Sequence, residues 1–274
     1  MKLNRVTAIS MFFLSFQALS SVPAVYSQVN VGEQEKFTEQ YTLPLIWVQK
    51  SGEFRAIYYQ AFNLARLQFC HSANIEGKKK AVIVDLDETM LNNSPYTGWE
   101  IKSGHPFSSE SWKRWNEAKA AIAMPGAVEF SRYVTEHGGR VFYVSNRNIA
   151  DLNSTVENLN RLGFPDISRD TVFLKDKSPL KEERFNIIKR NAYNVVLYIG
   201  DNLNDFTDHG YGGTNQERIS FVENNKNKFG IDYIILPNPL YGGWENGINA
   251  KYNKSTLSQK VEMRKENINA WDGK

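Results

Sequence analysis

Five short apolar runs, separated by stretches with helical periodicity, constrain the fold of this chain more than any other feature of its sequence. The runs are three to five residues long and lie at 81–84, 140–144, 172–174, 195–199 and 233–236. An apolar run without polar alternation is typical of a strand that is covered on both faces, as strands of parallel sheets are. The runs therefore predict a parallel sheet between two layers of helices.

The segments between these runs predict the helices. The helical stretches are 127–137, 151–162 and 181–190. Gly138 and Gly163 directly follow the first two stretches, and glycine ends helices there because it adopts the left-handed conformation at little cost. Alternating strands and helices of this kind predict an α/β fold with a doubly wound, mainly parallel sheet.

The two ends of the chain depart from this alternation and predict a smaller helical domain. Residues 34–72 carry apolar side chains at spacings of three and four, with a break between two helices at Gly52, and residues 253–269 suggest a polar helix. The predicted organisation is an N-terminal helical segment at 28–75, an α/β core at 76–244, and a C-terminal segment at 245–274 that packs with the first.

Residues 1–27 are typical of a secretory signal peptide. Lys2 and Arg5 precede an apolar segment at 6–19, and small residues stand where a signal peptidase would cut before Gln28. The apolar segment is shorter than the roughly 20 residues that a membrane span needs, and no cysteine near the cut could carry a lipid anchor. We expect an exported protein, periplasmic or secreted and without a transmembrane anchor; association with the outer membrane is left open.

The first apolar run ends in a cluster of acidic residues, within the segment KKKAVIVDLDETMLNNS. Asp85 and Asp87 follow this run, Ser145 follows the second, and Asp201 follows the fourth after one glycine. Ligands bind beyond the carboxyl ends of strands in open α/β sheets, so these groups are expected at one edge. One carboxylate can attack phosphorus, a second can transfer protons, and Mg²⁺ can bind carboxylate oxygens. The pattern favours phosphoryl transfer.

The ordered set DLDET, VFYVSNR, a downstream lysine and YIGDNLNDF resembles the haloacid dehalogenase superfamily of phosphohydrolases. Within it the chain is similar to the bacterial class C (DDDD) acid phosphatases, a group that includes the lipoprotein e family of 5′-nucleotidases. MPGAVEF, RLGF and LPNPLYGGW extend the similarity, which runs from about Trp47 to the C-terminal AWDGK. The resemblance implies a haloacid dehalogenase-like Rossmannoid core and a Mg²⁺-dependent acid phosphatase that forms an aspartyl-phosphate.

The resemblance also implies roles for the acidic residues. Asp85 would be the nucleophile and Asp87 the general acid and base, while Mg²⁺ would be held by the Asp85 side chain, the Asp87 backbone carbonyl and Asp201. Asp205 would support a metal ligand or contact a metal-bound water; a place at a helix N-terminus is its alternative role. Glu88, the third acid of DLDE, is expected to have a structural or helix-start role rather than a chemical one.

Two more groups are expected to stabilise the transferring phosphoryl oxygens. Ser145 stands where relatives often have threonine, which keeps the hydroxyl. Lys181 matches the family lysine by its spacing from the segment KEERF, and Lys177 is the alternative because the local order DKSPL differs from the usual pattern. Arg147, which ends SNR, is expected to form an ion pair rather than to bind phosphate.

Aromatic residues indicate the substrate class. In related class C enzymes an aromatic pair encloses the base of a nucleoside monophosphate, and Trp112 and Tyr241 match those positions; packing between core and helical domain is their alternative role. Stacking is worth about 1–3 kcal/mol per base and tolerates different bases. We expect 5′-nucleotides as substrates, including nicotinamide mononucleotide. Asn92, where relatives often have aspartate, is expected to tune substrate preference or the pH optimum.

Composition excludes one class of partner, and the motifs leave two rival functions. A net charge of +3, with no basic run longer than Lys78–Lys80, argues against a nucleic acid polymer. A surface-binding protein on a phosphatase scaffold would have no need of the acidic set. A glycosyltransferase with a metal-binding DxD motif would leave SNR and GDNLND unexplained. Some relatives form dimers, so the resemblance implies a homodimer.

Overall fold

The computed structural model describes residues 31–191 and 193–274, and a five-stranded sheet forms its centre. The strands in chain order are β1 (Lys79–Val84), β2 (Leu91–Asn92), β3 (Ile122–Ala123), β4 (Arg140–Asn148), β5 (Val172–Lys175), β6 (Tyr193–Gly200) and β7 (Tyr233–Ile235). The sheet has the order β5-β4-β1-β6-β7 with every neighbouring pair parallel, while β2 and β3 form a separate antiparallel pair. Each of the five apolar runs forms a strand of this sheet, so the predicted parallel sheet is confirmed.

Eleven α-helices are found within the described residues. They are α1 (Val31–Glu39), α2 (Thr42–Lys50), α3 (Gly52–His71), α4 (Ser94–Ser103), α5 (Ser109–Ala118), α6 (Ala127–Glu136), α7 (Leu152–Leu162), α8 (Glu182–Arg190), α9 (Asn215–Asn224), α10 (Gly243–Asn246) and α11 (Leu257–Glu266). Helices α6, α7 and α8 match the predicted stretches to within one residue at each end. The sequence analysis did not predict α4, α5, α9 and α10.

Helices cover the sheet on both faces, as unbroken apolar strands require. Alternate residues of β1 point to opposite sides. Val82 and Val84 belong to the larger core cluster, which also contains buried residues of α3, α6 and α7. Ala81 and Ile83 belong to a smaller cluster with Phe185 of α8. The predicted doubly wound α/β fold is therefore confirmed.

The N-terminal helical region contains three helices where the sequence predicted two. Helix α3 begins at the predicted break, and Ser51 caps it by accepting a hydrogen bond from the Phe54 backbone N–H at 3.1 Å. A second break separates α1 from α2 at Tyr41. Pro44 in the first turn of α2 is the signal that would have shown it, because proline is tolerated in a first turn but not in a helix interior.

The helices from the two ends of the chain pack together beside the sheet. Helix α1 contacts α11 and α4, and α2 contacts α4. Leu45 and Val48 of α2 are part of the same core cluster as the sheet. The predicted signal peptide at 1–27 lies outside the described residues, and the domain boundaries stay a prediction. No helix in the described part of the chain combines the length and the apolar character needed to cross a membrane.

Candidate active site

Three neighbouring strands bring polar groups to one edge of the sheet. Asp85 directly follows β1, Ser145 lies near the end of β4, and Asp201 directly follows β6. Because β1 is flanked by β4 and β6, the three side chains meet at the carboxyl ends of the central strands. The Asp85 backbone N–H donates to the Ile199 carbonyl at 2.9 Å, so the ladder between β1 and β6 holds the first acid in place.

A buried lysine joins this acidic group. Lys181 immediately precedes α8, and its Nζ forms ion pairs with Asp85 and, at 2.8 Å, with Asp205. The same ammonium group donates to the Val144 carbonyl at 2.7 Å. All three donors of the ammonium group are thus used within the site. The sequence alternative, Lys177, is exposed, and the structure therefore places Lys181 in the site.

Gly200 allows Asp205 to lie this close to the strand end. A Cβ at position 200 would come 2.6 Å from Asp205 Cγ and closer still to two other atoms of that side chain. Asp205 lies on a short 3₁₀ helix, and its Oδ2 accepts a hydrogen bond from the Asn202 backbone N–H at 2.9 Å. The glycine of YIGDNLND is therefore a packing requirement of the acidic group.

The carboxylates are close enough together to share a cation. One oxygen from each of Asp85, Asp201 and Asp205 lies within 4.8 Å of the other two. Burial and the neighbouring carboxylates raise the pKa of Asp85 to about 7, although Lys181 acts in the opposite direction. Burial, followed by the charges of Asp205 and Asp85, raises the pKa of Asp201 well above its usual range. Such a set of hard oxygen donors fits a divalent cation, which would favour the ionised forms.

Asp87 faces a different partner from the other acids. Arg147 is buried and binds Asp87 with two nitrogens, with Nη2 at 2.7 Å and Nε at 2.9 Å from Oδ1. Ser145 is 1% exposed, and its hydroxyl donates to Asp87 Oδ2 at 3.3 Å. Arg147 therefore forms the ion pair that the sequence suggested. The Asp87 carboxylate is held by Arg147 and Ser145, whereas that of Asp85 is held by Lys181.

A cavity of about 650 Å³ opens above these residues and is walled partly by aromatic side chains. Trp112 and Tyr241 both line it, as do Asp85, Asp87, Ser145 and Lys181. Trp112 also packs edge-on against Tyr96, with ring centroids 5.0 Å apart. The indole N–H of Trp115 instead donates a hydrogen bond to Asn93 Oδ1, and that of Trp244 donates to the Asn238 backbone carbonyl.

The two asparagines that follow DLDETML are placed differently. The Asn92 side chain accepts a hydrogen bond from the Ser94 backbone N–H at 2.8 Å and thus supports the start of α4. Asn93 lines the cavity, and its Nδ2 donates to Asp87 Oδ1 at 2.9 Å. The structure therefore brings Asn93, rather than Asn92, into contact with the site.

Glu88 is buried in the same network, in keeping with the structural role expected from the sequence, although the sequence analysis did not predict its partners. Its carboxylate accepts a hydrogen bond from the Asn93 backbone N–H at 2.8 Å and another from the Tyr241 hydroxyl. Burial, together with the charge of Asp87, raises the pKa of Glu88 to about 8. The only signal for this role in the sequence is the glutamate itself, because its partner Tyr241 is 153 residues away.

Comparison with known proteins assigns this site to a family. The family model described as HAD superfamily, subfamily IIIB (Acid phosphatase), matches residues 16–244. The chain belongs to this acid phosphatase family. Members of the superfamily generally use a divalent metal ion, which agrees with the carboxylate group formed by Asp85, Asp201 and Asp205.

Two solved structures and one curated protein that are similar to this chain are acid phosphatases. The class C acid phosphatase from Bacillus anthracis has 34% sequence identity and a TM-score of 0.82, covering 86% of this chain and 100% of that one. The structure of the same enzyme with tungstate bound has 33% sequence identity and a TM-score of 0.80, with the same coverage of both chains. Acid phosphatase 1 from Solanum lycopersicum is 27% identical over 164 residues, which are 58% of this chain and 57% of the tomato protein. A stem 28 kDa glycoprotein from Glycine max is 24% identical over 205 residues, or 70% of this chain and 69% of that protein.

Proposed function

We propose that this acid phosphatase is an exported enzyme that hydrolyses phosphomonoesters with Mg²⁺, chiefly 5′-nucleotides including nicotinamide mononucleotide, through an aspartyl-phosphate on Asp85. The observation that carries the proposal is the ion pair between Asp85 and Lys181 at the end of β1, with Ser145 and Asp87 beside it. An anionic carboxylate can approach an anionic phosphate only where positive charge offsets their repulsion.

The residues provide for two successive displacements. In the first, an Asp85 oxygen bonds to phosphorus as the ester P–O bond breaks, and Asp87 gives its proton to the departing alkoxide. In the second, Asp87 takes a proton from water as the water oxygen attacks phosphorus, and the bond from Asp85 to phosphorus breaks. Alcohol and inorganic phosphate are released, and Asp87 is again protonated for the next cycle.

The neighbouring side chains orient the reactants in this scheme. Lys181 reaches Asp85 directly and would meet the equatorial phosphoryl oxygens with its positive charge. The Ser145 hydroxyl lies 3.3 Å from Asp87 Oδ2, so this hydroxyl and the acid face the same space. Arg147 holds Asp87 through two nitrogens and limits its rotation. Both proton transfers therefore involve a carboxyl group in a defined position.

Mg²⁺, when bound, would screen the repulsion between the phosphate and the carboxylates. Its proposed ligands are the side chains of Asp85 and Asp201 and the Asp87 backbone carbonyl. Asp205 is proposed to support this set through Lys181, to which it is bound at 2.8 Å. The grouping of carboxylate oxygens within 4.8 Å supports a cation at this position. All the proposed donors are hard oxygens, which suit Mg²⁺, and the resemblance to class C acid phosphatases is the reason for proposing Mg²⁺ among such cations.

The proposed nucleotide substrate is supported by the size and lining of the cavity. A volume of about 650 Å³ exceeds the need of a phosphate group and lies within the range of small-molecule sites. Trp112 and Tyr241 on its walls supply flat surfaces for a base. The Bacillus anthracis relative was solved with tungstate bound, and tungstate is a tetrahedral oxyanion like phosphate.

Export and assembly complete the proposal. The sequence features of residues 1–27 support export to the periplasm or the medium, with outer-membrane association left open. Nucleotides cross membranes poorly because they are charged, so dephosphorylation outside the cell would yield a transportable nucleoside. A homodimer is proposed from the resemblance to dimeric relatives.

The test is a phosphate-release assay on purified mature protein with a panel of 5′-nucleotides and added Mg²⁺. We expect turnover that is lost on chelation and restored by Mg²⁺. Asp85→Asn should abolish turnover. Asp166→Asn is the matched control, because it removes a partly exposed carboxylate that pairs with Arg140 and does not line the cavity, and it should leave turnover unchanged. Retention of full activity in Asp85→Asn would disprove covalent catalysis by this residue.

A further inference from the structure

The side chain of Tyr241 is tethered to the loop that carries the proposed catalytic acids. We propose that Glu88 is a positioning residue, whose carboxylate holds the Tyr241 phenol so that the ring presents a fixed face to the leaving group of the substrate. This inference rests on the proposed nucleotide phosphatase function. It assigns to the glutamate of DLDET a role in substrate selectivity instead of chemistry.

Glu88 itself is held rigidly. It is 4% exposed and has a φ of 58°, a left-handed conformation that is uncommon for a residue with a side chain. Its backbone N–H donates to the Leu91 carbonyl at 2.8 Å, and its carbonyl accepts a hydrogen bond from the buried Tyr58 hydroxyl. Both the backbone N–H and the backbone carbonyl of Glu88 are therefore held by hydrogen bonds, and these bonds fix the direction in which its side chain projects from the loop.

The two oxygens of the Glu88 carboxylate accept hydrogen bonds from Asn93 and Tyr241. Oε1 accepts the Asn93 backbone N–H at 2.8 Å, while Oε2 accepts Asn93 Nδ2 at 3.3 Å and the Tyr241 hydroxyl. Asn93 is fixed in turn, because its Oδ1 accepts the Trp115 indole N–H at 2.8 Å and its Nδ2 also donates to Asp87. The acceptor offered to Tyr241 thus has a set position relative to Asp87.

Tyr241 would otherwise have considerable freedom. Its side chain is 38% exposed and lines the cavity. The residue that follows it, Gly242, has a φ of 148°, a conformation that favours glycine. The Tyr241 backbone N–H is held by Asn238 Oδ1 at 3.3 Å, which leaves the ring direction to the phenol contact. Fixing the ring before substrate arrives reduces the ordering cost of binding.

The experiment compares selectivity between two substrates in four proteins. The wild type, Tyr241→Phe, Glu88→Ala and the double variant are assayed on a 5′-nucleotide and on ethyl phosphate, which has no ring to stack. We expect the ratio of kcat/KM for nucleotide to that for ethyl phosphate to fall about two- to tenfold in each single variant. The double variant should show the ratio of Glu88→Ala alone, because the hydroxyl has no other assigned task. Tyr59→Phe, an exposed tyrosine on α3, is the matched control.

The outcomes of this experiment separate the inference from the function on which it rests. The role of Glu88 would be overturned if Tyr241→Phe kept the wild-type ratio of kcat/KM values. It would also be overturned if the fold-loss of this ratio in the double variant equalled the product of the losses in the two single variants. Tyr241→Ala addresses the proposed function instead: if it too leaves the ratio unchanged, stacking of a base on Tyr241 is wrong. If Glu88→Ala fails to fold, as the absence of a cooperative thermal transition would show, the ratio in Tyr241→Phe alone decides between retention and rejection.

Discussion

Replacing Gly200 with alanine should disrupt the group formed by Asp85, Asp201 and Asp205, because the added methyl group would clash with Asp205. The new methyl carbon would lie 2.6 Å from Asp205 Cγ, about 1 Å inside an ordinary carbon–carbon contact. Asp205 cannot yield freely, because the Asn202 backbone N–H and Lys181 Nζ hold its two oxygens at 2.9 and 2.8 Å. We therefore expect Asp205 and Lys181 to shift together, away from Asp85.

The expected losses follow from this displacement. Overpacking of a filled site costs about 1–3 kcal/mol of folding free energy, which corresponds to a fall in melting temperature of roughly 2–12 °C for a chain of this size. A misplacement of about 1 Å near the reacting groups can cost about a hundredfold in kcat. Both are measured on Gly200→Ala by thermal unfolding and by phosphate release at saturating substrate.

Gly52 provides the matched control. A Cβ there would meet nothing within 4 Å, and the residue begins α3. Gly52→Ala should leave turnover unchanged and have a melting temperature equal to or slightly above that of the wild type, because alanine loses less chain entropy than glycine on forming a helix. Wild-type turnover and stability in Gly200→Ala would refute the packing argument for the glycine of YIGD.

Three further predictions concern charged groups. Lys181→Met should lower kcat by at least about a hundredfold while Lys177→Met leaves it near the wild-type value, and equal effects in the two variants would contradict the placement of Lys181. Burial raises the pKa of Glu100 from 4.5 to about 7 in the folded protein. The stability that its protonated carboxyl group contributes is therefore fully present below about pH 4.5 and is lost as the pH rises through about 7. Thermal unfolding should accordingly show Glu100→Gln gaining stability over the wild type between about pH 5 and pH 8, by at most about 3 kcal/mol; a difference that does not change with pH would count against this assignment. Arg264 pairs with Glu245, and its Nε donates to the Tyr252 hydroxyl at 2.8 Å, so Arg264→Met should lower the free energy of unfolding by about 3–5 kcal/mol in a denaturant titration, and an unchanged midpoint would show that the pair adds no stability.

The strands were predictable because their signal is local. A parallel strand buried on both faces must be apolar throughout, and the runs at 81–84 and 195–199 lie inside β1 and β6. Helices α6 and α7 were equally visible, because each is followed by a glycine in the left-handed conformation, Gly163 in the case of α7. Helices α4 and α5 were not predicted: their short segments between β2 and β3 carry aromatic and polar residues without a clear apolar stripe.

The catalytic acids were predictable for a second reason. Asp85 and Asp201 directly follow strands of one parallel sheet, so their side chains meet wherever that sheet forms. The contacts between them were not predictable. Lys181 and Lys177 are equivalent as residue types, and only the start of α8 decides which ammonium group reaches Asp85.

The sequence by itself determined the sheet, the order of its motifs and the acidic edge, because strand burial and strand ends are properties of short segments. The tertiary structure alone decided which side chains share a proton, a charge or a cavity. Glu88 shows the difference: in the sequence it is the third acid of a loop, and in the fold it accepts a hydrogen bond from Tyr241, which is 153 residues away. Such pairings depend on how distant segments close around a common core, and no local pattern records them.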